Sequence, residues 1–228
     1  QLASASTTPG APARRPRSPS TVRNAGGEGR SGSSIPGVAG AAFPLARMPF
    51  LAFHTITDDP ACAERIVGLA SLGTDLKTAK SAPAFSYVVP SDCESGAATP
   101  CREGAPAGLG PADTFLKRVV PEIQASPAYR DGGAIVILAD QAPGGDGADR
   151  SSCCADRSWY GADQGTDGGG RTGALVLSPL IEGGTTVDDQ LDHYDLLKTV
   201  ALGLGVTPPG NAARKQVTGL PRAVWSAW

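Results

Sequence analysis

Aromatic side chains are scarce in this sequence: Phe, Trp and Tyr make up 5% of its 228 residues. The core must therefore be built mostly from Ala, Val, Leu and Ile, and a hydrophobic content of 40% is enough to supply one. Histidine is scarcer still, with only His54 and His193, so any imidazole chemistry is confined to two positions. No stretch approaches the roughly 20 consecutive apolar residues of a membrane span. There is no excess of one charge; the formal net charge of -2 gives no reason to expect nucleic acid or a membrane surface as partner. None of the cysteines shows the paired CxxC spacing of a common zinc site. GxSxG, the P-loop, HExxH and a strand-to-helix GxGxxG are all missing, and with them the sequence signatures of the reactions they serve. There is no internal repeat. The chain opens at Gln1 without the charged-then-apolar pattern of a signal peptide.

What is abundant is glycine and proline, 30 and 20 residues, which implies many loops. The length suits one domain or two small ones. Charge is unevenly placed. Residues 1–47 hold six Arg (14, 15, 17, 23, 30 and 47) against Glu28, a balance of +5 that leaves -7 for the rest. This segment, rich in Ser, Ala, Gly, Pro and Arg with Phe43 its one aromatic, has too little apolar surface to offset its ordering entropy. It reads as a disordered or draped basic arm, with residues 48–228 as the folded domain.

From Met48 the texture changes. "MPFLAF" reads as a short strand. "DPACAERIVGLASLGTDLKTA" reads as a helix, with Asp59 as N-cap, Pro60 at its first position and Ile66, Leu69, Leu72 and Leu76 near helical spacing. "FSYVVP" is a strand closed by Pro90. Phe115, Leu116, Val119, Val120 and Ile123 form one face of an amphipathic helix that Pro121 should kink or break. "GGAIVILAD" and "GALVLSP" are buried strands on either side of a long Gly/Asp/Ser-rich loop. A last helix near "DDQLDHYDLLKTVALGLGV" carries Leu191, Leu196, Leu197, Val200 and Leu204 on one face. The alternation predicts an α/β domain with a largely parallel sheet flanked by helices.

Polar groups gather at strand ends and helix starts: Asp92, Glu94 and Ser95; Asp140 and Gln141; Asp192, His193 and Asp195. If these segments meet at one rim of the sheet, their carboxylates, amide and imidazole suit a hard or borderline divalent ion and ester hydrolysis. Each has a plainer use. Asp140 serves equally as a turn or cap, Asp192 as an N-cap, and His193 as a surface hydrogen-bonding residue. "DGGG" at Asp167–Gly170 suits either a close backbone approach or a hinge. Cys93 and Cys101 bracket a Gly/Pro-rich loop and are candidates for a local disulfide; Cys62 would then pair with Cys153 or Cys154. That usage favours an oxidising compartment, with buried free thiols as the alternative.

Taken in order, "FSYVVPSDC", "TFLKRVVPEIQASPAYRDGGAIVILADQAP", "SSCC", "GGGRTGALVLSPLIEGGTT" and "LDHYDLLKTVALGLGV" resemble the phosphoesterase family. That family includes bacterial acid phosphatases, phosphatidylinositol phosphatase-like and phospholipase C-like enzymes of alkaline-phosphatase-like fold. The resemblance runs from about Met48 to Val206 and implies a metal-assisted hydrolase of small-molecule phosphate esters, secreted or in the cell envelope. It places a divalent-metal ligand on Asp140 and a catalytic imidazole on His193. Substrate contacts fall on Glu94, Gln141, Gly169 and Gly170, the last two with Gly168 in the family's glycine run.

The departures are specific. Glu94 and Ser95 stand where relatives carry a His-Asp or Asn-Asp pair, and Leu138 and Ala139 replace the usual Thr and aromatic before Asp140. Neither the family's opening E-N-x-S-Y-D-like motif nor its Ser/Thr nucleophile segment is recognisable. The chain thus reads as the C-terminal portion of such an enzyme, incomplete on its N-terminal side and dependent on a missing segment or a second chain. The alternatives are a non-catalytic secreted binding or structural relative, and an ester hydrolase that uses a metal-bound water.

Overall fold

A computed structural model describes residues 21–24, 50, 53–91, 93–96, 106, 108–142, 149, 151 and 169–225. It is a mixed α/β molecule with two small sheets.

The first sheet has three parallel strands in the order β2-β1-β3. They are β1 (Thr21–Asn24), β2 (Ile66–Gly68) and β3 (Ser86–Val89). Val22 lies opposite Ile66 on one side and Tyr87 on the other. The middle strand therefore comes from the segment read as a disordered or draped basic arm; the rest of 1–47 lies outside the described residues. Composition averaged over 47 residues hides a four-residue strand, while neighbours on both sides satisfy its backbone groups.

The helix expected after Asp59 does not form as one piece. Asp59 does accept from the Ala61 amide at 2.9 Å, but only α2 (Cys62–Arg65) follows. The chain then enters β2, passes through a 3₁₀ turn at Leu69–Ser71 and forms α3 (Leu72–Asp75). Ile66 and Val67 are β-branched and fit a pleated ladder, so pairing with β1 overrides the helical spacing. "MPFLAF" is likewise not a strand where it is described: Phe50 is 3₁₀ and Phe53 is the N-cap of α1 (His54–Thr57).

The long amphipathic helix is present as α4 (Leu109–Gln124) and runs on through Pro121. Its Phe115 and Val119 are buried against Leu72, with Leu69, Leu76, Val88, Leu116 and Ile123 packed around them. A short α5 (Pro127–Arg130) follows, capped by the buried Ser126, whose hydroxyl accepts from the Tyr129 amide at 3.1 Å. Gly133 closes the turn into the next strand. A Cβ there would fall 2.7 Å from the Tyr129 Cα, so the backbone itself demands glycine.

The second sheet pairs β4 (Ile135–Leu138) with β5 (Ala174–Leu177). The pairing is antiparallel, with Ile135 opposite Leu177 and Leu138 opposite Ala174, against the parallel expectation. Nor are these strands buried: Leu138 is 39% and Leu175 53% exposed. The last helix, α6 (His193–Gly203), buries Asp195, Thr199, Ala201 and Gly203. Of the expected apolar face, Leu191, Leu196, Val200 and Leu204 are half-buried and Leu197 is exposed. A 3₁₀ turn at Gly210–Ala213 and the chain to Leu220 pack along the buried side.

Candidate functional site

Of the acid and the imidazole singled out in the sequence, the imidazole reaches the backbone just before the acid. β4 ends at Leu138, and Asp140 and Gln141 occupy the exposed bend behind it. His193 is the first residue of α6, and its Nε2 lies 3.3 Å from the carbonyl oxygen of Ala139, next to Asp140 in the chain. A carbonyl oxygen only accepts, so this bond requires the hydrogen on Nε2. Nδ1 is then the ring atom left to bind a proton or an ion.

The start of α6 is firmly set. Asp192 is the N-cap, as its plainer reading had it. Its Oδ1 accepts from the amides of Tyr194 at 2.8 Å and Asp195 at 3.2 Å, and Asp195 Oδ2 accepts from the Asp192 amide at 3.1 Å. This reciprocal capping box is worth about 1 kcal/mol to the helix. It also occupies amides that would otherwise attract an anion to the helix start.

Gly169 sits beside the bend. Its carbonyl accepts from Ala142 N at 2.7 Å, and a Cβ on it would lie 3.7 Å from the Gln141 Cβ. Gly170, at φ +74°, has no room for a Cβ: one would meet the Ala142 Cβ at 2.5 Å and the Asp149 carbonyl closer still. The close approach that these glycines permit is therefore to the chain's own loop. Asp149 ties that loop. Its two oxygens accept from the amides of Ser151 at 2.9 Å and Arg171 at 2.8 Å. Hydrogen bonds from the Ser151 side chain, the Arg171 amide and the Ser151 amide, in that order, hold its carboxyl below the usual range. Gly168 and Asp92 lie outside the described residues.

Tyr87 on β3 belongs to the same neighbourhood, and the sequence reading missed it. Its phenol is pushed above the ordinary value, first by burial and then by the negative charge of Asp140. Its ring meets Phe50 edge-on, with centroids 5.2 Å apart. The only signal in the sequence was an ordinary aromatic in a strand.

Glu94 is engaged elsewhere. Oε2 accepts from Ser91 Oγ at 2.7 Å and Oε1 from Arg118 Nη2 at 3.3 Å, while the Arg118 guanidinium lies 5.4 Å from the Phe115 ring centre. Glu94 thus fastens the loop after β3 to α4. Cys62 is a free, buried thiol, which corrects its pairing with Cys153 or Cys154. Cys93 is disulfide-bonded; Cys101, Cys153 and Cys154 lie outside the described residues.

The donor set does not by itself make a metal cage. Among the described residues no group of three or more His, Cys, Asp or Glu side chains converges. Asp140 and His193 would supply two side-chain donors between them, fewer than a hard divalent ion requires. Among the described residues no helix is long and apolar enough to cross a membrane. The chain matches no protein-family model and no curated protein.

Proposed function

We propose that the rim where β4 ends against the start of α6 is a phosphate-ester site, and that the chain is a hydrolase of phosphoesterase type, secreted or in the cell envelope. The reading carries with it an alkaline-phosphatase-like scaffold. One observation carries it: the 3.3 Å contact from His193 Nε2 to the Ala139 carbonyl, which brings an imidazole to the residue preceding Asp140.

The chemistry assigns roles. Hydrolysis breaks the ester P–O bond, water supplying the oxygen that binds phosphorus, and the departing alkoxide must gain a proton. His193 Nδ1, in the protonated ring, donates that proton to the leaving oxygen, and the proton released by the attacking water then protonates the ring again. Asp140 is negatively charged and would repel a phosphate oxyanion at short range. Its use therefore requires a divalent cation between the two. Such an ion would neutralise ester oxygens. Gln141 and the backbone at Gly169 and Gly170 line the approach.

A second reading, a non-catalytic relative that retains the scaffold, draws on two contacts. Glu94 has both oxygens on Ser91 and Arg118, and Asp192 occupies the α6 amides. p-Nitrophenyl phosphate with a panel of divalent metals separates the readings. An active site of the proposed kind loses turnover by about a hundredfold or more in Asp140→Ala and in His193→Gln. Turnover unchanged by either substitution removes the assignment. Absence of turnover, together with no metal binding by calorimetry, supports the non-catalytic relative.

A further inference from the structure

The densest side-chain hydrogen bonding among the described residues lies just behind His193. Asp195, two residues on, is 7% exposed. Its Oδ1 accepts from the amides of Thr218 and Gly219, both at 3.0 Å, and from the Thr218 hydroxyl at 3.4 Å. Its Oδ2 closes the capping box on the Asp192 amide at 3.1 Å. One turn later Thr199 extends the clasp: its hydroxyl donates to the Asp195 carbonyl at 2.8 Å and accepts from Leu220 N at 2.7 Å. Lys198 Nζ reaches the carbonyls of Val217 at 2.6 Å and Arg214 at 3.2 Å. The strap from Arg214 to Leu220 is thus laid along α6 and clasped at its first two turns.

A cap alone needs only the bond to Asp192. The second oxygen of Asp195 binds a segment 23 residues away in sequence. One carboxylate therefore couples the strap to the peptide that leads directly into His193. We propose that Asp195 is a positioning residue of the candidate site, holding the α6 start, and with it the His193 ring against Ala139, through the strap at Thr218 and Gly219. The inference rests on the reading of His193 as a site residue, but its test reads the ring and not the reaction.

Replacing the carboxylate by an amide sets an NH₂ group against amide donors on one side. In Asp195→Asn the exchange of the Thr218 and Gly219 amides should rise about tenfold or more. Nitrogen-detected NMR of the His193 ring should change from the Nε2–H tautomer alone to a mixture of both. Thr199→Val gives an independent check. It removes the bond from Leu220 and leaves both oxygens of Asp195 in place. Faster exchange at Leu220 and Gly219 with the ring tautomer shifted supports the coupling, also where Asp195→Asn fails to fold. Faster strap exchange with an unchanged His193 ring overturns it. A shifted ring with turnover unaffected by His193→Gln would uphold the coupling while removing the hydrolase reading.

Discussion

At the scale of single residues, the candidate site of Asp140 and His193 has Tyr87 within electrostatic reach of Asp140. The charge of Asp140 raises the Tyr87 phenol, which ties β3 to the end of β4 without any substrate present. For a phenol, a folded value above the unfolded one means that the fold favours the neutral form. Its stability contribution is complete below about pH 10 and is lost as pH climbs toward the folded value. Ultraviolet titration of the tyrosines should therefore show Tyr87 ionising late, a phase absent from Tyr87→Phe. Asp140→Asn should move that phase to lower pH; a phase that stays in place would separate the two residues. Glu94 teaches the opposite lesson. The resemblance made it a substrate contact, and in the structure it pairs with the Arg118 side chain one helix away.

At the scale of elements, local signals and tertiary pairing divide the outcomes. β3, β4, α4 and α6 were legible because each has a long enough pattern or a clear stop. The α6 start was open to two readings, and the structure takes the plainer one: Asp192 is the cap and is followed at N3 by Asp195. Removing the cap in Asp192→Ala should cost about 1 kcal/mol, read as a lower thermal midpoint with the same unfolding cooperativity. Failures cluster where a short segment's partner decides its form. Ile66–Gly68 continues a helical spacing but becomes an edge strand, because β1 offers it a ladder. The buried side of α6 is its Asp195–Thr199 side, because the strap there supplies hydrogen-bond partners that the leucines have no use for.

At the scale of the whole molecule, the apolar core and the β4–β5 ribbon differ in exposure. The core gathers on α3, α4 and β3, around Leu72, Phe115 and Val119. The β4–β5 ribbon that carries Asp140 has large apolar side chains in solvent, Leu138 and Leu175 among them, with Leu180 just beyond. A two-stranded ribbon is marginal by itself, and exposed apolar strands promote association. The purified chain should bind a hydrophobic dye and associate as its concentration rises. Leu175→Lys should weaken both by severalfold while leaving the unfolding free energy within about 0.5 kcal/mol of the parent. An unchanged dye signal would mean that the ribbon is covered in solution.

The sequence alone determined the strand at 86–89, the long helix before Pro127, the strand ending near Asp140 and the capped helix opening on His193. Each is fixed by neighbours within a few residues, through side-chain period, turn residues and caps. Only the tertiary structure decided that Thr21–Asn24 lies in the middle of a sheet, that β5 runs against β4, that Glu94 belongs to Arg118, and that Asp195 clasps a strap 23 residues away. Those outcomes depend on which backbone amides, carbonyls and charges find each other across long stretches of chain. No local pattern encodes that choice, because each group has the same bonding capacity whichever partner the fold brings to it.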